Sequence, residues 1–327
     1  MKTIPKLALA VAALLPLSVA LWVAPAYAAT GIHVSGQAVL EGNGNSFMMR
    51  GTSQPHAWYA SRTATALGWQ KGWGANTVRI VLSGGRYTTN SASDVANVVS
   101  MCKANKLICL LEDHDTTGYG EASGAYSLSS AADYWIKIKS ALQGQENYVI
   151  VNIGNEPYGN NNTANWTADT KNAVSKLRNA GIANALVVDA PNWGQDNGGV
   201  MKNNAASVQS ADPQHNVIFS VHMYSQYASA STITSYVDSF KNKNLPLIIG
   251  EFGPYDPYGN IDEDTIMAKA HSSGYGMLGW SWSGNSSDIA YLDQVQNFDG
   301  NTPTAWGNRV WFGTDGIYST SKQATVY

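Results

Sequence analysis

Eight short apolar runs recur along this chain, and most are separated by longer stretches with helical spacing. The runs cover residues 47–51, 77–82, 107–111, 148–153, 185–188, 217–221, 247–249 and 277–280. Their β-branched and aliphatic content suits strands covered on both faces. Between them, "SASDVANVVSMCKANK" sets Val95, Val98, Val99 and Cys102 on one helical stripe. "SLSSAADYWIKIKSALQG" and "TADTKNAVSKLRNAG" each end in Gly, which closes helices. "STITSYVDSFKNKN" and "DEDTIMAKAHSSG" follow the same plan, and a further helix is expected over 201–209. Eight strand–helix units without a linker or fixed-period repeat predict an α/β fold, a (β/α)8 TIM barrel. A short N-terminal β-hairpin is expected in "IHVSGQAVLEGNGNSF", turning at Gly42-Asn43-Gly44-Asn45. A doubly wound sheet is the alternative, but no G-x-G-x-x-G follows the first strand. A chain of 327 residues could hold two domains, yet α/β barrels commonly run this long as one.

The amino terminus reads as a processing segment. Lys2 and Lys6 precede an almost wholly apolar stretch over 7–23, and Ala26-Tyr27-Ala28 is a small-x-small cleavage pattern. Residues 1–28 are therefore expected to be a signal peptide and 29–327 a single (β/α)8 catalytic domain. An uncleaved membrane anchor is the alternative, since the apolar run comes close to spanning. Pro16 and Ser18 within it and the Ala-x-Ala after it argue against that. The mature protein is expected to be secreted, extracellular, monomeric and free of the membrane. Charged residues make up only 13% and the net charge is −3, which leaves no basic face for nucleic acid. The 11 Trp and 17 Tyr supply either stacking surfaces or core filling. Cys102 and Cys109 make neither a disulfide scaffold nor a zinc site. On strand parity Cys109 points to the helix layer, so a bridge and two buried free thiols both fit. No run has EF-hand spacing, and no metal or cofactor is expected.

The polar residues fall at one end of the runs. Strand two contains Arg79, and strand three runs into Glu112-Asp113-His114-Asp115. Strand four ends in Asn155-Glu156, and strand five in Asp189 with Asn192 and Trp193 beyond. Strand six ends in His222 and Tyr224, strand seven in Glu251, and strand eight in Trp280-Ser281-Trp282. In a barrel these ends converge on the face where active sites of this fold lie. Taken singly, each has a bland reading. Arg79 could be a structural cation and Glu251 its ion-pair partner. Glu112, Asp113 and Asp115 read as helix-capping or loop carboxylates, His114 as a hydrogen-bonded core histidine, and His33 and His271 as surface or turn residues. Taken together, they put two glutamates, a guanidinium, two histidines, a tyrosine and a tryptophan at one end of eight strands. Asn155 and Glu156 are adjacent, so strict alternation cannot aim both inward, and Pro157 ends the ladder there.

Two carboxylates on facing strands suit glycoside hydrolysis. One protonates the departing oxygen and the other attacks the anomeric carbon or activates water. Retention needs a separation of about 5–5.5 Å and inversion roughly 6.5–9.5 Å. The set Arg79 in "NTVRI", His114 in "EDHD", "GNEP", "HMY", "GEFG" and "GWSW" resembles glycoside hydrolase family 5, of the clan A retaining (β/α)8 hydrolases. The longer strings "LEDHDTTG", "NIGNEPYGN", "SVHMYSQYA" and "GWSWSGN" resemble the bacterial endo-β-1,4-mannanases within it, over nearly the whole mature chain. That resemblance implies Glu156 as general acid/base and Glu251 as nucleophile. Tyr224 and Arg79 would hold the nucleophile ionised and oriented, with His222 beside the acid/base. His114 and Asn155 would bind the sugar beside the scissile bond, with Trp280 as the platform under it. Trp58 and Trp193 are assigned to flanking subsites, and His56 remains unassigned. Like charges repel, so Glu156 is expected to keep its proton while Arg79 and Tyr224 favour charged Glu251. The implied substrate is β-mannan. An endo-β-1,4-glucanase shares the catalytic set, and a non-catalytic glycan-binding barrel is the reading from another class.

Overall fold

Eight parallel strands close on themselves in the computed structural model, which describes Met1 and residues 31–327. They are β1 (Arg50–Gln54), β2 (Thr77–Leu82), β3 (Ile108–Asp113), β4 (Val149–Asn152), β5 (Leu186–Asp189), β6 (Val217–Met223), β7 (Leu247–Phe252) and β8 (Gly276–Gly279). Each pairs with its sequence neighbour, and β8 returns to β1. Around them lie α1 (Thr63–Gly72), α2 (Ala92–Ala104), α3 (Leu128–Lys137), α4 (Trp166–Asn179), α5 (Val200–Ala211), α6 (Ala230–Lys241), α7 (Glu263–Ser273) and α8 (Ala305–Phe312). Side-chain caps start several helices. Ser91, Ser127, Ser229, Asp262 and Thr304 accept from backbone N–H groups one turn ahead. The expected (β/α)8 barrel is thus present. The segment expected to be a signal peptide lies outside the described residues. Among the described residues, no helix is long and apolar enough to cross a membrane.

Strand parity divides the apolar residues into two cores. Leu110, Ile150, Val187, Ile218, Ile248 and Leu278 face the barrel interior, where Ile32, Val39, Phe47 and Met49 join them. Their sequence neighbours, such as Leu111, Val151, Val188, Phe219 and Ile249, pack under the helices. Two residues beyond the inner apolar layer, the inward positions turn polar at Glu112, Asn152, Asp189 and Ser220, all buried. The barrel is therefore a cup with a dry base and a polar mouth.

Three local expectations are corrected. The first strand is Arg50–Gln54 rather than 47–51. Phe47 and Met49 cap the barrel base instead, and the strand proper, "RGTSQ", is polar and hydrogen-bonded. Its Thr52 hydroxyl donates to Gly279 O (2.8 Å). Apolar content therefore located the plug and not the strand. The hairpin pairs His33–Ser35 with Ala38–Leu40 and turns at Gly36-Gln37, where Gly36 has φ 58°. The 42–45 stretch makes a second reversal that closes a lone Leu40–Ser46 bridge. Last, α3 stops at Lys137 and a separate turn over Lys139–Ala141 follows, so the stretch to Gly144 is not one helix.

Both cysteines are free and buried. The Cys109 thiol is pushed well above its usual value by burial and by Cys102 beside it. At the base of the barrel the two ends of the described chain meet. Glu41 Oε2 accepts from the Thr325 hydroxyl (2.8 Å) and the Val326 N–H (3.0 Å), and Asn43 Nδ2 donates to Thr325 Oγ1 (2.7 Å).

Barrel closure between β1 and β2 depends on Gly51. A Cβ there would stand 1.8 Å from the carbonyl oxygen of Thr77, a backbone atom that cannot swing aside. Gly51→Ala is expected to cost about 3 kcal/mol and lower the thermal unfolding midpoint by about 5 °C. An unchanged midpoint in a calorimetric scan would mean the strands can separate without loss.

Candidate active site

Arg79 stands at the centre of the polar mouth. It is 1% exposed and lies on the inward parity of β2, between the outward Val78 and Ile80. Its Nη1 donates to Glu251 Oε1 (2.7 Å) and its Nη2 to Asn155 Oδ1 (2.7 Å), with Asn152 Oδ1 at 3.4 Å. Glu112 Oε2 (3.8 Å) and Asp189 Oδ2 (3.7 Å) complete the ring of acceptors. Burial alone would lower the arginine's pKa. Glu112, Glu251, Asp189 and Glu156 outweigh it and hold the pKa above its ordinary value.

Both glutamates point inward because the backbone departs from regular strand geometry at each. The register between β6 and β7 shifts after Val221, which pairs His222 with Glu251. Such a bulge re-aims side chains, and here it turns Glu251 into the mouth. Gly250 permits it, since a Cβ there would lie 2.2 Å from Ser220 Oγ. Glu156 follows the end of β4 in a left-handed conformation, φ 41°. The turn is fixed by three backbone contacts. Asn155 N–H donates to Asp113 O (2.9 Å), Gly118 N–H to Glu156 O (3.0 Å) and Glu156 N–H to Asp189 Oδ2 (3.3 Å). A positive φ on a non-glycine residue is strained and is found where the surroundings overdetermine it.

His222 joins the two carboxylates. Its Nδ1 lies 2.8 Å from Glu156 Oε1 and 3.6 Å from Glu251 Oε2, and its Nε2 lies 3.3 Å from Asp189 Oδ2. Burial opposes its charge, but Glu251, Asp189 and its contacts with Asp189 and Glu156 push the imidazole up to about 10. Asp189 shows the reverse. Burial raises it, and the charge and hydrogen bond of His222 with Arg79 bring it below the usual carboxylate range. Oxygens of Glu156 and Glu251 lie within 4.8 Å of each other and of a His222 nitrogen. These three side chains could also hold a cation, but His222, Arg79 and Tyr224 already engage both carboxylates.

Arg79 does pull Glu251 toward its charged form as expected, but the net shift goes the other way. The Tyr224 hydroxyl does donate to Glu251 Oε2 (2.9 Å). Burial is the larger effect, and with Glu156 it raises Glu251 above its ordinary value against the pull of His222 and Arg79. Beside the pair, the raised His222 pKa keeps the imidazole charged against Glu156 Oε1, 2.8 Å away. Burial and the Glu251 charge also keep the Tyr224 hydroxyl protonated, hence a donor.

The aromatic residues form one flank. His114 Nδ1 meets Glu112 Oε1 (2.9 Å), and its ring stacks near Trp280 at 5.8 Å and 20°. Trp58, 42% exposed on the turn after β1, meets His114 edge-on at 5.3 Å. A cavity of about 380 Å³ is lined by Trp58, Tyr59, His114, Trp280, Asn285 and Ile289. Trp193 is not brought to it. Trp193 has φ 53° in the loop after β5, its indole packs on Gly118, and its backbone N–H donates to Tyr158 O (2.9 Å). It stands beside the loop that carries Glu156.

Two carboxylates take roles that the sequence reading did not give them. Glu112 is no cap or loop residue. It is fully buried between Arg79 and His114, and its parity with Leu110 was the available signal. Asp189 was visible as a strand end, but its links to His222, Arg79 and the Glu156 N–H depend on folding. Asp113 and Asp115 do act locally: Asp113 accepts from Asp115 N–H (3.3 Å), and Asp115 from Ser83 Oγ (2.6 Å). His56 is buried, within hydrogen-bond reach of Thr63 Oγ1 (2.7 Å) and Asp94 Oδ2 (3.2 Å), a link between α1 and α2.

Asp189→Asn removes the negative charge at His222 Nε2. The His222 pKa is expected to fall from about 10 toward the ordinary histidine value near 6.5. Titration of the imidazole nitrogens by NMR would read this, and an unmoved His222 would exclude Asp189 as its charge partner.

Comparison with known proteins matches this arrangement to one family. The family model "Cellulase (glycosyl hydrolase family 5)" matches residues 40–286. A mannan endo-1,4-beta-mannosidase of Streptomyces lividans is 55% identical over 92% of this chain and 78% of its own length. One of Cellvibrio japonicus is 50% identical over 94% of this chain and 72% of its own. The structure of a mannohexaose complex of Thermomonospora fusca beta-mannanase superposes with a TM-score of 0.88 at 55% identity, covering 91% of this chain and 99% of that one.

Proposed function

The chain belongs to glycosyl hydrolase family 5, and from that premise we propose that it is a retaining endo-β-1,4-mannanase. It would cleave internal bonds of mannan, glucomannan and galactomannan by double displacement. The observation that carries this is the Glu156–Glu251 pair, with oxygens within 4.8 Å. So close an approach is in keeping with the roughly 5–5.5 Å carboxyl separation of retaining enzymes rather than the roughly 6.5–9.5 Å of inverting ones. The choice of mannan rests on relatives named mannan endo-1,4-beta-mannosidase and a relative solved with mannohexaose.

In the first step a Glu251 oxygen attacks the anomeric carbon as the glycosidic bond breaks. The departing oxygen takes a proton from Glu156, the general acid. In the second, water attacks the glycosyl–enzyme ester and returns a proton to Glu156, which frees Glu251. Arg79 and Tyr224 both donate to Glu251, so they support its ionised form and aim it. Asn155 is held by Arg79 and by donation to Thr117 Oγ1 (2.8 Å), in place to bind the sugar 2-hydroxyl. His114, its Nδ1 engaged by Glu112, would turn Nε2 to the same sugar. Trp280 would lie under that ring, its indole N–H fixed on Asn285 Oδ1 (3.0 Å). Trp58 extends the cavity as a flanking subsite, and Trp193 would serve the side of Glu156. The protein would act as an exported monomer, with residues 1–28 removed, on a polymer too large to enter a cell.

Glu156→Ala is expected to lower kcat by about 10²–10⁴-fold. Full activity would end the acid/base assignment. Glu251→Ala should regain turnover with azide as an inverted glycosyl azide, and normal product of inverted configuration would refute retention. Release of reducing sugar from galactomannan should exceed that from carboxymethylcellulose, and the opposite preference would favour the glucanase.

The pH profile follows from the same contacts. Glu251 must be ionised to attack, and its pKa is raised. The acid limb of kcat/KM should therefore lie above the ordinary glutamate value near 4.3. An alkaline limb is expected where His222, pushed up to about 10, loses its charge beside Glu156. Tyr224→Phe removes a donor to ionised Glu251, so the acid limb should move to higher pH. A limb that stays in place would mean that hydroxyl does not support the ionised nucleophile.

A further inference from the structure

A second cavity, of about 400 Å³, opens behind the wall of the first. Ile289 lines the cavity beside Trp280, whereas the next two residues, Ala290 and Tyr291, line the outer one. Trp306 and Pro254 also line the outer cavity, together with Glu263 and Arg309. Tyr255, 40% exposed, stacks on Tyr291 with centroids 4.1 Å apart and planes 22° from parallel. The Tyr291 hydroxyl is buried without a hydrogen-bond partner, where a buried hydroxyl normally has one. Glu156 and Glu251 are held by Arg79, His222 and Tyr224, none of which lines this cavity.

The neighbouring turn is braced rather than loose. Tyr255–Asp256 pairs with Gly259–Asn260. Asp256 Oδ1 accepts from the N–H groups of Tyr258 (2.8 Å) and Gly259 (3.1 Å), and Oδ2 from that of Ser225 (2.9 Å). This holds Tyr258, 88% exposed, out in solvent at the tip. The cavity volume falls within the roughly 300–1,000 Å³ of small-molecule sites. A pyranose has an apolar C–H face and an edge of hydroxyls. The flat tyrosine pair suits the first. A phenol, a carboxylate and a guanidinium suit the second. Glu263 and Arg309 carry opposite charges, so the site selects no ion.

We propose that the Tyr255–Tyr291 surface is a second carbohydrate-binding site, which holds a β-1,4-linked mannan chain outside the cleft. The choice of mannan rests on the hydrolase reading above. A polymer strand gripped here keeps the enzyme on insoluble substrate between cleavages.

The test pairs two measurements on the full chain: depletion from solution onto insoluble mannan in the cold, and the rate of mannohexaose cleavage. Tyr255→Ala and Tyr291→Phe are expected to weaken depletion by roughly three- to tenfold and to leave the mannohexaose rate within about twofold. Tyr291→Phe keeps the packed ring and removes only the hydroxyl, so its loss of depletion cannot be put down to unfolding. Depletion unchanged in both variants overturns the proposal. A mannohexaose rate that falls in step with depletion also overturns it, because the tyrosines would then serve the cleft. A parent protein that cleaves no mannan, yet loses depletion with these tyrosines, refutes the hydrolase reading and supports the second site.

Discussion

The guanidinium of Arg79 is the interaction on which the mouth of the barrel depends. Four carboxylates, Glu112, Asp189, Glu156 and Glu251, surround it, three of them buried and Glu156 partly open to the cleft. Without the cation, each would face the others in a low dielectric, and breaking a buried pair by removing one partner costs about 3–5 kcal/mol. Its two terminal nitrogens fix Glu251 and Asn155 at once. Geometry at the nucleophile and geometry at the sugar-binding amide are therefore coupled through one rigid, planar group. Lysine, a point charge on a flexible stem, could not hold both directions.

His222 is the second shared element. It lies between Asp189 and the two glutamates, and Gly194 at φ 73° presses on its ring, where a Cβ would stand 2.6 Å from Cγ. A ring so confined keeps its orientation while its charge varies. His222 and Glu251 interact closely, so their titration belongs to the pair rather than to either member.

What could be read in advance was what alternation and composition carry directly. Leu110 to Glu112 and Ile218 to His222 change from apolar to polar along one parity, so the dry base and polar mouth were visible in one dimension. The first strand was not, because Thr52, Ser53 and Gln54 gain their burial from neighbours distant in sequence. Nor was the role of Asp189, whose partners lie 33 residues back at Glu156 and on β2 and β6. Glu251 could be placed at its strand end, but its inward aim comes from a register shift between two strands, which a one-dimensional pattern cannot contain. The packing of the Trp193 ring on Gly118, beside the loop of Glu156, likewise depends on folding.

The contacts of Glu41 with Thr325 and Val326 make the barrel topologically open to rearrangement. The two ends of the described chain adjoin on the base, on the far side of the molecule from the carboxylates. A short peptide could join them and close the chain into a ring without crossing the cleft. New termini could then be cut into an exposed helix–strand connection on that same base, such as the one around Gly144 and Gln145. The order of the eight units along the chain is therefore separable from the arrangement that brings Arg79, Glu156 and Glu251 together.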